Sequence, residues 1–131
     1  LALLGSALFL FGTAFFSGVG LTPYDLYLDL HVFFAVNAFR FLVPASMLYL
    51  IVLLRSSVDN RFALVTGVYL VCVVAYVIYQ MMGGNPFDSA EEMVRQAIIQ
   101  KLIVMASVIS VFSLSFAFEH QARAQVTPSI R

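Results

Sequence analysis

Along the chain, apolar residues come in long runs, and polar residues gather in short stretches between them. Leu1 to about Gly18 has no charged residue, and Val32 to Leu54 holds only Arg40. Phe62 to Met82 has none, and Ala97 to Phe118 holds only Lys101. A helix rises about 1.5 Å per residue, so roughly 20 apolar residues cover a hydrocarbon layer about 30 Å thick. The pattern predicts four membrane-spanning helices, at residues 1–18, 32–54, 62–82 and 97–118. Inside such a layer no water satisfies backbone N–H and C=O groups, so each span has to bond internally. The expected fold is all-α: a polytopic integral membrane protein, a four-transmembrane-helix bundle forming a single transmembrane domain.

The connections are short. A polar loop from Leu21 to Leu30 carries Pro23, Asp25 and Asp29, a turn runs from Arg55 to Arg61, and a longer loop surrounds Gly83-Gly84-Asn85-Pro86. Ser89-Ala90-Glu91-Glu92 fits a capping box, in which Ser and Glu each satisfy a backbone N–H, and two carboxylates in a first turn suit the helix dipole. The fourth helix is therefore expected from about Ala90 to about Gln121, longer than a span requires, with its first turns projecting from the lipid. The chain opens on Leu rather than Met, so an incomplete N-terminus is expected. A secretory signal in residues 1–18 is disfavoured, since no basic region precedes them and no clear small-residue cleavage pattern follows.

Composition narrows the class further. The 131 residues are 62% hydrophobic and 11% charged, whereas a water-soluble domain has roughly 45–50% apolar and about 25% charged residues. Seven Lys+Arg balance seven Asp+Glu, leaving no basic excess for nucleic-acid phosphates. The single cysteine, Cys72, cannot form an intramolecular disulfide and lacks companions for a zinc site. Four spans place Arg55, Arg61, Arg123 and Arg131 at one end with Asp59 and Glu119. Asp25, Asp29, Asp88, Glu91 and Glu92 fall at the other end, with Arg95 as its only base. Basic loops are retained in the cytoplasm, so the arginine end and the C-terminus are expected inside and the acidic loops on the opposite side.

The second span holds the most informative polar residue. Arg40 lies about eight residues inside it, roughly 12 Å from the boundary, beyond comfortable snorkelling reach. Asn37 precedes it and Pro44 follows it on one helical face. Proline has no N–H for the carbonyl of Arg40, so that acceptor is freed and a helix break is expected there. The opposite face, with His31, Ala35, Ala38, Leu42 and Ala45, contains small residues suited to close helix contact. An intramembrane arginine is expected to face the bundle interior, a wet cavity or a partner. No span contains an acid to meet it, so the anion is sought elsewhere: a lipid phosphate, a carboxylated ligand or a neighbouring subunit's acid. Asp25 or Asp29 folding down, or water entering from the rim, is the competing account.

Lys101 lies only about four residues into the fourth apolar run, where it can snorkel to the headgroups or share an anion site with Arg40. His31 and His120 fall at opposite ends of the bundle, too far apart for one haem, and no metal site is assigned. Tyr69, Tyr76 and Tyr79 share a face with Cys72, with Gln80 beside them. An interfacial belt explains the outer tyrosines, and a quinone or pigment against them is the disfavoured alternative. Gly5 and Gly12 in the first helix, and Ser107, Ser110, Ser113 and Ala117 in the fourth, mark expected contact seams.

No nucleophile with an adjacent base, HExxH, Walker loop or GxGxxG occurs. The function expected is therefore a small non-catalytic membrane protein, an accessory or structural subunit packing against other membrane proteins and lipids. The alternative is a small transporter, or a protein handling a lipid or anionic ligand, built on Arg40, Asn37 and Pro44. Such sites usually come in paired halves. A membrane enzyme ranks third, and no cofactor is assigned beyond bound lipid.

Overall fold

The computed structural model describes residues 1–83 and 87–126. The Gly84-Asn85-Pro86 part of the expected turn and Arg131 lie outside the described residues. Four helices follow one another: α1 (Ala2–Leu21), α2 (Leu28–Leu54), α3 (Asn60–Met82) and α4 (Ala90–Val126). No strand occurs among the described residues. All four helices are long and apolar enough to cross a membrane.

Local chemistry sets the ends. The C-terminal carbonyl of Gly18 accepts from both the backbone N–H and the hydroxyl of Thr22, closing α1. The Pro23 carbonyl accepts from Leu26 and Tyr27, folding the loop into α2. Asp59 caps α3 by accepting from the Arg61 N–H at 2.9 Å, and its other oxygen pairs with the Arg61 side chain at 3.0 Å. At α4, the Ser89 hydroxyl accepts from the Glu92 N–H at 3.1 Å, which is half of a capping box. The Glu92 side chain pairs with Arg95 on the helix surface. At 37 residues α4 runs about 55 Å, well past the expected Gln121.

Consecutive helices pack antiparallel, α1 on α2, α2 on α3 and α3 on α4. Along the first pair, Gly5 lies against Ala45 and Leu48, Gly12 against Ala38 and Leu42, and Gly18 against Phe34. Phe39 meets Tyr76 edge-on at 4.7 Å between α2 and α3. The Tyr69 hydroxyl and Ser107 share a hydrogen bond of 2.9 Å between α3 and α4, and Ser6 and Tyr49 share one of 2.8 Å between α1 and α2. Two buried clusters form the core. One joins Phe39 and Leu42 to Tyr69, Val73, Tyr76 and Ile103, and the other joins Tyr49 and Leu53 to Ala63, Leu114 and Ala117. The backbones of α1 and α4 do not approach closely, and a cleft of about 230 Å³ separates Phe9, Thr13 and Phe16 from Val104, Val108 and Phe112.

Candidate functional site

The rotation of α2 about its axis decides what its polar residues can do. Ala35, Ala38, Leu42 and Ala45 are buried, with Ala38 and Ala45 at 0% exposure, so this small-residue face is the one pressed into the bundle. Arg40 is on the opposite side and exposed, in a stripe with the exposed Phe33 and Met47. Of the three surroundings expected for this arginine, the bundle interior is thus excluded. No hydrogen bond or ion pair joins its side chain to another described residue, Asp25 and Asp29 included.

Asn37 is half-buried beside Arg40, and its amide donates to the Phe33 carbonyl at 2.8 Å, one turn back along its own helix. Pro44 does not break the helix, which continues from Leu28 to Leu54. Packing by α1 and α3 holds both sides in line. The Ser46 hydroxyl donates to the Leu42 carbonyl at 2.6 Å, using a backbone acceptor close to the proline. Lys101 is exposed on α4, whose backbone does not closely approach that of α2, and Arg40 faces away from the bundle, so the structure does not bring the two together.

The fourth-helix serines divide. Ser110 is buried, while Ser107 and Ser113 are half-buried, and Ser107 also donates to the Ile103 carbonyl at 2.8 Å. Tyr69 faces α4 through Ser107, and Tyr79 stacks on Tyr76 with centroids 6.5 Å apart. Outside the apolar spans, the Tyr79 hydroxyl and then the Glu92 carboxylate raise the pKa of Arg95. The ring of His31 is held by a 2.6 Å hydrogen bond between Nδ1 and the Thr22 carbonyl. A carbonyl only accepts, so Nδ1 carries the proton in this arrangement.

A second feature lies where the start of α2, the end of α3 and the start of α4 meet. It is a cavity of about 520 Å³, and Tyr24 from the preceding loop joins His31, Tyr76, Gln80, Gln96 and Gln100 in contributing its polar groups. The sequence singled out Tyr76 and Gln80, with a quinone or pigment against that face as the disfavoured alternative, but not the cavity, because its lining comes mainly from three helices. The available signal was the set of three glutamines, Gln80, Gln96 and Gln100, at the same end of two apolar helices. Compared with known families, curated proteins and solved structures, the chain matches none.

Proposed function

We propose that this chain is an integral membrane protein that acts without catalysis, as an accessory or structural subunit packed against other membrane proteins and lipids. Supporting the membrane location are four long apolar helices whose outward surfaces carry large apolar side chains, among them Leu10, Phe11, Val68, Val71, Leu102 and Phe112. Water would make contiguous apolar faces of this extent costly. Loops at residues 22–27 and 55–59 add little surface outside the helices.

The observation that carries the subunit reading is the outward, unpaired guanidinium of Arg40. The Arg40 Cα lies about 18 Å along the axis from the start of α2 and about 21 Å from its end, near the middle of the span. Insertion of a cation at that depth costs roughly 2.5–3.5 kcal/mol. A carboxylate from a neighbouring chain offsets that cost and fixes which face of α2 is covered. The alternative, a transporter or a handler of an anionic lipid or ligand, uses the same cation but needs a path, and Arg40 points away from the bundle.

Extraction in mild detergent followed by native mass spectrometry tests the reading. The expected result is a companion protein bound to the wild-type chain and lost in Arg40→Ala. A lone wild-type chain overturns it, and a lone chain carrying an anionic lipid that Arg40→Ala releases overturns it in favour of the lipid-handling alternative.

A further inference from the structure

We propose that the cavity between α2, α3 and α4 binds an uncharged amphipathic molecule, with an apolar body and a compact head bearing carbonyl or hydroxyl oxygens. Its volume of about 520 Å³ falls within the roughly 300–1,000 Å³ of small-molecule sites, which are mostly apolar with a few convergent polar groups. Leu28, Val32, Ala35 and Val36 form the apolar wall on the α2 side. No charged residue is among the lining residues. A charged head would leave its own ion unpaired in an apolar recess, so the site selects against it.

Two lining groups call for a partner. Tyr76 is 3% exposed, and neither its hydroxyl nor Oε1 of Gln80 reaches a hydrogen-bond partner among the described residues. Gln80 follows Tyr76 by one turn of α3, and no hydrogen bond joins the two side chains. Buried polar groups left unpaired are costly, and a ligand oxygen accepting from Tyr76 together with a ligand hydroxyl donating to Gln80 removes that cost. His31 adds an acceptor: with Nδ1–H committed to Thr22, the neutral ring has its lone pair on Nε2. The Tyr76 ring is fixed in advance by its edge-on contact with the fully buried Phe39. The proposal is independent of the role given to Arg40, and the membrane enters it only as the ligand's source.

The test uses the full chain in detergent and three short-chain probes: a prenylated benzoquinone with one isoprene unit, dioctanoylglycerol, and dihexanoyl phosphatidylglycerol as the charged comparator. Native mass spectrometry and thermal shift read binding. Saturable binding of either neutral probe, at least tenfold tighter than the charged one, is expected, and the one that binds identifies the source as a quinone or a neutral glycerolipid. Tyr76→Phe is expected to weaken it tenfold or more, and Gln80→Leu to do the same for dioctanoylglycerol, whose free hydroxyl can donate to Oε1 of Gln80. Tyr69→Phe, whose hydroxyl is engaged by Ser107, stays within twofold. Tyr76→Phe keeps the ring and removes an unpartnered hydroxyl, so without ligand it melts no lower than wild type, which separates lost binding from lost fold. Failure of both neutral probes to saturate the folded wild-type protein, or wild-type affinity in both cavity variants, overturns the proposal.

Discussion

At Gly18 the spacing of two helices is set by a missing side chain. A Cβ there would lie 2.5 Å from Cδ1 of Phe34 and 2.6 Å from its Cγ, positions near the base of the ring that cannot swing aside like a flexible chain end. Phe34 is also held between Phe15, at 5.8 Å, and Phe33, at 5.6 Å. Gly18→Ala is therefore expected to lower stability by about 1–3 kcal/mol, the usual range for overpacking, despite the better helix propensity of alanine. Gly20→Ala, with nothing within 4 Å of the added carbon, is expected to leave the melting temperature unchanged or slightly raised. Thermal denaturation in detergent compares the two, and Gly18→Ala melting at or above wild type would sink the argument. Gly5 and Gly12 were legible as a seam because they stand seven residues apart in an apolar run. Gly18 was not, because it sits at the edge of that run, and only the facing Phe34 reveals its role.

The existence, order and approximate length of the four helices were readable from charge-free runs, since no other backbone arrangement pairs its own polar groups over such a length. Their rotation was less legible. In α2 one face offered Asn37, Arg40 and Pro44, the other offered Ala35, Ala38 and Ala45, and two rules competed for the interior. Burying a charge favours the first face only if an acid is available inside, and no apolar span contains one. Small side chains favour the second through closer backbone approach, and that face is the one packed. The same geometry predicts unequal responses to leucine at two neighbouring positions. Ala38→Leu puts three extra carbons where Ala38 is fully buried and its carbonyl lies 3.3 Å from a Cβ position on Gly12, and is expected to cost about 1–3 kcal/mol. Asn37→Leu, on the outward side, loses only a bond to its own helix and is expected to change stability by less than about 0.5 kcal/mol. Equal losses in detergent melts would mean that α2 is turned differently from the structure.

At the scale of the whole molecule, antiparallel packing of consecutive helices collects the charges at two ends, and this makes the proposed orientation testable. Arg55, Arg61 and Arg123 share one end with Asp59 and Glu119, and Arg95 stands alone among acids at the other. Arg61 and Arg123 pair with those two acids, and Arg95 pairs with Glu92. A net-charge argument would thus count little. Retention depends on the positive residues themselves, with acids contributing weakly, so the expected orientation rests on the three-to-one excess of arginines between the two ends among the described residues. Ser57, in the exposed turn between α2 and α3, and Asp25, in the exposed loop between α1 and α2, report the two ends. With the native Cys72 replaced by Ser, Asp25→Cys is expected to react with a membrane-impermeant maleimide in intact cells, and Ser57→Cys only after permeabilisation. The reverse pattern would overturn the orientation while leaving the spans intact. Reaction of both sites without permeabilisation would place both ends on one side of the bilayer, which an α2 crossing from Leu28 to Leu54 does not permit.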